Sequence, residues 1–106
     1  MGGNPWAGEV ALRIGGERRV MRLTLGALAE LEAGMEAEGM IDLVARFEAG
    51  RFGARDVARV LVAGLRGGGW AVDEAELLDA EIEGGPAGAV EAAARLLARG
   101  FALPDG

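Results

Sequence analysis

The chain has 106 residues, 51% of them apolar and 26% charged, with a net charge of −6 and no cysteine. That is the length of one ordinary domain, enough to bury roughly 60–70% of the unfolded surface without staples, and it argues against a disordered coil, a disulfide framework or a thiolate metal site. His, Lys, Ser, Tyr and Gln are also missing, with one Thr (Thr24) and one Asn (Asn4), so nearly every usual nucleophile and general base is absent.

Carboxylates and arginines remain. Carboxylate-only hydrolysis needs a deep cleft that a chain of this length rarely builds, so no catalytic residue, no cofactor and no small-molecule substrate is expected. Apolar runs are only a few residues long, and MGGNPWAGEV lacks a basic segment followed by an apolar block. No membrane partner and a cytoplasmic location are therefore expected. A sequence pI near 4.6 is the opposite of what a free-standing nucleic-acid binder carries, so no nucleic-acid partner is expected either. The charge is blocky: residues 1–29 carry +2, 30–48 carry −5, 51–66 carry +3 and 73–83 carry −6.

In chain order, GEVALRIGGERRVMRL reads as a β-hairpin. Val10, Leu12 and Ile14 alternate with Glu9, Ala11 and Arg13, the period of a half-buried strand. A two-residue loop at Gly16-Glu17 suits a type II′ turn and sets Leu12 opposite Met21 and Val10 opposite Leu23. Arg13, Arg18, Arg19 and Arg22 cluster around this hairpin. Their sheet faces differ, so a basic, water-facing rim is favoured over an anion site.

TLGALAELEAG reads as a helix capped by Thr24, with Leu25, Leu28 and Leu31 as its apolar stripe and Gly34 as its stop. Glu30, Glu32, Glu36 and Glu38 crowd its C-terminal end, where they oppose the helix dipole. Met40, Leu43, Val44 and Phe47 make a second short amphipathic helix ended by Gly50. ARDVARVLVAGLR is the third and should be the most buried: Val57, Val60, Leu61 and Leu65 form its core face and Val62 widens it. Gly64 on that face could admit a neighbouring backbone.

The triplet Gly67-Gly68-Gly69 follows this helix. A phosphate loop needs glycines before a helix start and usually a lysine after them, so the triplet reads as punctuation, with Gly67 as a left-handed helix cap. Trp70 then either closes the core or marks a contact surface. Asp73 and Glu76 suggest a capping box opening the helix DEAELLDAEI, with Leu77, Leu78 and Ile82 apolar. The carboxylates of residues 73–83 match no calcium-loop spacing; a solvated acidic face is favoured and no metal is expected. Gly85-Pro86 opens the last helix, whose stripe is Val90, Ala93, Ala94, Leu97 and Phe101, closed by Gly100 and Pro104.

The resulting class is α+β, mainly α: an N-terminal β-hairpin followed by four or five short helices in one compact domain over 1–106, with 1–7 and 102–106 as flexible tails. In this order, GEVAL, LTLGALAELE, ARDVARVLVAGLRGGG and EGGPAGAVEAAARLL resemble the small tail protein of gene transfer agents and related siphophage-like prophages, over residues 8–101. That family carries the label of a phage tail tube protein; its more plausible role is tail assembly chaperone. One departure is Trp70, where the resemblance implies a polar or histidine-like side chain.

The resemblance implies a non-enzymatic protein that coats the helical tape-measure protein, keeps it soluble, and yields to tube subunits as the tail grows. It implies other tail proteins as partners. The basic rim of the hairpin and the aromatic after the glycines give Arg13, Arg18, Arg19, Arg22 and Trp70 as candidate interaction residues. The basic hairpin docking onto the acidic helices of a second copy would give a weak, salt-sensitive homo-oligomer. Two other functions are weighed against it. A structural tail tube subunit, retained in the particle, should be built around a β-sandwich. A small helical adaptor or regulator unrelated to phage would need, as a helix-turn-helix protein, a basic recognition helix, and Arg55 to Arg66 is mostly apolar.

Overall fold

The computed structural model describes residues 9–33 and 39–100. The expected tails 1–7 and 102–106, the helix stop Gly34, Glu36, Glu38, Phe101, Pro104 and the side chain of Met40 lie outside the described residues. Strands β1 (Glu9–Ile14) and β2 (Glu17–Arg22) form an antiparallel hairpin, followed by helices α1 (Leu25–Ala33), α2 (Gly39–Glu48), α3 (Ala54–Gly67), α4 (Glu74–Leu78) and α5 (Gly85–Gly100).

The hairpin turns one residue earlier than expected. Gly15 and Gly16 are both at positive φ, 62° and 83°, as a type I′ loop requires, and this turn matches the twist of the flanking strands. The register is therefore Val10↔Met21, Leu12↔Arg19 and Ile14↔Glu17, not Leu12↔Met21. A type II′ turn at Gly16-Glu17 would have used one of the two glycines. The register moves by two residues, so the faces are unchanged: Val10, Leu12, Ile14 and Met21 are all buried.

Helix α3 is the hub, packing against β2, α1, α4 and α5. Val57, Val60, Leu61 and Leu65 are buried as expected, with Ala58, Ala63 and Gly64, while Val62 is half-buried. At its start the Asp56 carboxylate accepts from Gly53 N–H (2.9 Å). Gly64 admits side chains and not a backbone: a Cβ there would lie 2.6 Å from Leu96 Cδ1 and 3.1 Å from Met21 Cβ. The backbone approach comes one turn later. A Cβ on Gly67 would lie 1.9 Å from the Arg22 carbonyl oxygen, and one on Gly68 would lie 2.0 Å from that of Val20. The end of α3 is thus pressed against the edge of β2. Gly67 is helical; the left-handed residue is Gly69, at φ 107°.

Helix α1 is capped as expected, Thr24 Oγ1 accepting from Ala27 N–H (3.0 Å). Its buried residues are Ala27 and Leu31, with Leu28 half-buried, but Leu25 is 84% exposed. Leu25 stands two residues, about 200° of helix, from Ala27 and so faces away from α3. In α2, Leu43 is buried and Val44 and Phe47 are half-buried. Phe47 stacks on Phe52 (4.5 Å between centroids), and Arg46 bridges Asp42 (3.3 Å) and Asp56 (3.2 Å), tying α2 to α3. Gly50 follows at φ 75°.

Helix α4 stops at Leu78 and does not run on to Ile82. Asp73 caps it, accepting from Glu76 N–H (2.7 Å). The next residues are drawn out to pair with β1 through the bridge Ile14↔Ile82: Gly15 N–H donates to Glu81 O (2.7 Å), and Glu83 N–H to Arg13 O (3.0 Å). Leu77 is buried and Ile82 half-buried, but Leu78, the last residue of this short helix, is 57% exposed. In α5 the inward stripe is Ala89, Ala92, Ala93, Leu96 and Leu97; Val90 is half-buried and Ala94 is exposed, because the α3 contact is centred one residue earlier than expected.

Candidate interaction surface

The alternation of β2 divides the four hairpin arginines. Leu12 stands opposite Arg19, so Arg19 emerges on the face that carries Val10 and Met21, at the rim of the core. Its side chain is 35% exposed and bonds Glu17 Oε1 (2.9 Å). Its guanidinium carbon sits 4.0 Å from the centre of the Trp70 ring, a cation–π contact. Arg13, Arg18 and Arg22 lie on the other, water-facing side.

Those three are not equivalent. Arg22 pairs with the Glu9 carboxylate, directly across the ladder. Arg13 and Arg18 stand opposite each other, two like charges where opposite ones would be favoured. Arg13 Nη1 donates to Gly16 O (3.1 Å), and no ion pair among the described residues engages Arg18. The uncompensated positive charge is therefore concentrated beside the turn.

Trp70 packs at the rim of the core. It is half-buried against the main hydrophobic cluster, and its backbone N–H donates to Leu65 O (2.9 Å). The glycine break brings it there by folding the chain back under the end of α3. The structure thus joins Trp70 to Arg19 but to none of the other three arginines.

A second surface was not anticipated. A groove of about 270 Å³ runs between α3, α4 and α5, lined among others by Ala54, Leu61, Leu78, Ile82 and Val90. Nothing in LLDAEI marks it, since Leu77, Leu78 and Ile82 would fall within about 140° of a helix and read as one ordinary apolar stripe. Among the described residues, no three carboxylates converge as metal ligands, and no helix is long and apolar enough to cross a membrane.

No curated protein and no solved structure matches the chain. A family model does, described as phage tail tube protein, GTA-gp10, and its match runs over residues 7–103. That span takes in the hairpin, all five helices, the glycine break and the groove, so the chain belongs to the GTA-gp10 phage tail tube protein family.

Proposed function

We propose that this protein is a tail assembly chaperone of a gene transfer agent or prophage: a cytoplasmic, non-enzymatic protein that binds the tape-measure protein during tail morphogenesis. The observation that carries this reading is the scarcity of open sheet. A tube wall built from β-sandwich subunits needs strands to make it. Among the described residues there is one hairpin and one isolated bridge. The hairpin is covered on both edges by its own chain, at Val20 and Arg22 by the α3 glycines and at Arg13 and Gly15 by residues 81–83.

A covered edge resists the strand-to-strand addition that builds continuous sheets. The acidic, compact body and the lack of a nucleophile fit a binding role that leaves no mark in the finished particle. The alternative, a structural tube subunit, is favoured by the family's own description. Mass spectrometry of purified particles separates them: a chaperone is absent or scarce, whereas a tube subunit is among the most abundant proteins present. Co-expression with the tape-measure protein, followed by pull-down of this chain, should recover the pair; failure to do so would remove the chaperone reading.

A further inference from the structure

We propose that the groove between α3, α4 and α5 is the docking site for an amphipathic helix of the partner, one whose apolar face is flanked by Arg or Lys. This deepens the chaperone reading above and rests on it. The floor is apolar and built largely of small or half-buried side chains, Ala54, Ala58, Ala80, Ile82, Ala89 and Val90. Leu78 lines the groove while 57% exposed, an arrangement that costs hydration free energy unless something covers it.

Charge specifies the partner. Residues 73–83 carry six carboxylates and no basic residue. Asp79, Glu81 and Glu83 are neighbours in the chain of the groove-lining Ala80 and Ile82 and do not line the floor themselves; all three are exposed at its border, and no ion pair among the described residues engages them. This acidic rim attracts a basic flank and repels an acidic one.

Backbone bonding disfavours a strand. A strand could add only along the outer side of residues 80–82, because 81 and 83 already bond β1. On that side Ala80 N–H donates to Leu77 O (3.0 Å), and Ile82 O accepts from Gly85 N–H (2.8 Å). Two of the four outward backbone groups of residues 80 and 82 are thus taken, too few left for a ladder, and an apolar helix face that binds through its side chains suits the groove better.

The test places the photo-crosslinking residue p-benzoylphenylalanine at Leu78, in the full chain co-expressed with the tape-measure protein and the other tail proteins encoded beside it. A thermal melt of each variant checks folding. The expected crosslink maps to a helical segment with Arg or Lys beside its apolar face. Its yield falls roughly tenfold or more with Asp79→Lys and Glu81→Lys together, and is unchanged by Arg18→Glu. A crosslink to a second copy of this chain, to an acidic or non-helical segment, or to nothing overturns the proposal, as does a yield indifferent to charge reversal. If the captured helix belongs to another tail protein, the groove stands and the tape-measure assignment falls. If the tape-measure protein is captured from position 18 and not from 78, the chaperone reading stands and the groove falls.

Discussion

At Gly67 a single methyl group would decide whether the hairpin can sit on α3. A Cβ there lies 1.9 Å from a backbone oxygen of Arg22, whereas at Gly69 it meets nothing within 4 Å. That oxygen is backbone and not the end of a flexible side chain, so Gly67→Ala must push β2 off the helix. A cost of about 2–3 kcal/mol is expected, at the upper end for overpacking. Gly69→Ala pays only for its φ of 107°, about 1–2 kcal/mol. Thermal melts should rank the two in that order, at about 4–8 °C per kcal/mol for a domain near this size; equal losses would show that the helix end does not touch the strand. The contact between Arg19 and Trp70 makes a second prediction. A double-mutant cycle with Arg19→Met and Trp70→Leu should give a coupling of about 0.5–1 kcal/mol, and no coupling would mean that the guanidinium does not rest on the ring.

At the scale of elements, the hairpin is stable because its edges are finished elsewhere in the sequence. A lone two-stranded hairpin is marginal in water; here β1 gains two bonds from residues 81–83 and β2 is abutted by α3. Amide exchange checks this. Gly15 and Glu83 N–H should be protected to a degree comparable with the β1–β2 ladder, although they lie in a turn and a loop; free exchange at both would leave β1 an open edge. The same features mark the limit of what the sequence shows. α3 was legible because Val57, Val60, Leu61 and Leu65 repeat at the helical period, and the Thr24 and Asp73 caps because capping chemistry is local. The end of α4 was not, since DAEIE alternates as well as it turns and only the presence of β1 chooses. The roles of Gly67 and Gly68 were hidden for a like reason: the close approach belongs to β2, some 45 residues earlier. Of the candidate surface, the differing faces of the arginines could be read from strand alternation, but the pairing of Arg19 with Trp70 and the groove depend on tertiary packing.

For the whole molecule, the decisive feature is where the fold puts its opposite charges. Along the chain the basic hairpin and the acidic block of residues 73–83 are far apart, which suggests a dipole and head-to-tail docking. In the structure they are neighbours, because Glu83 N–H bonds Arg13 O. Arg13 and Arg18 therefore share one end of the molecule with Glu81 and Glu83, all four exposed. A patch with both signs side by side can match its own copy about a two-fold axis, so a closed dimer becomes available beside the ring or open chain that head-to-tail contact would give. Its attraction acts between exposed groups, each pair contributing about 0–1 kcal/mol, and is screened beyond roughly 8 Å at physiological salt. The protein alone should therefore self-associate only weakly, at high concentration and low ionic strength, and dissociate as salt is added. Arg18→Glu should abolish the association, since it reverses a charge that no intramolecular ion pair engages. Light scattering over a salt series measures both effects. A monomer at every concentration and salt, or an oligomer indifferent to Arg18→Glu, would show that this mixed patch is not a contact between copies.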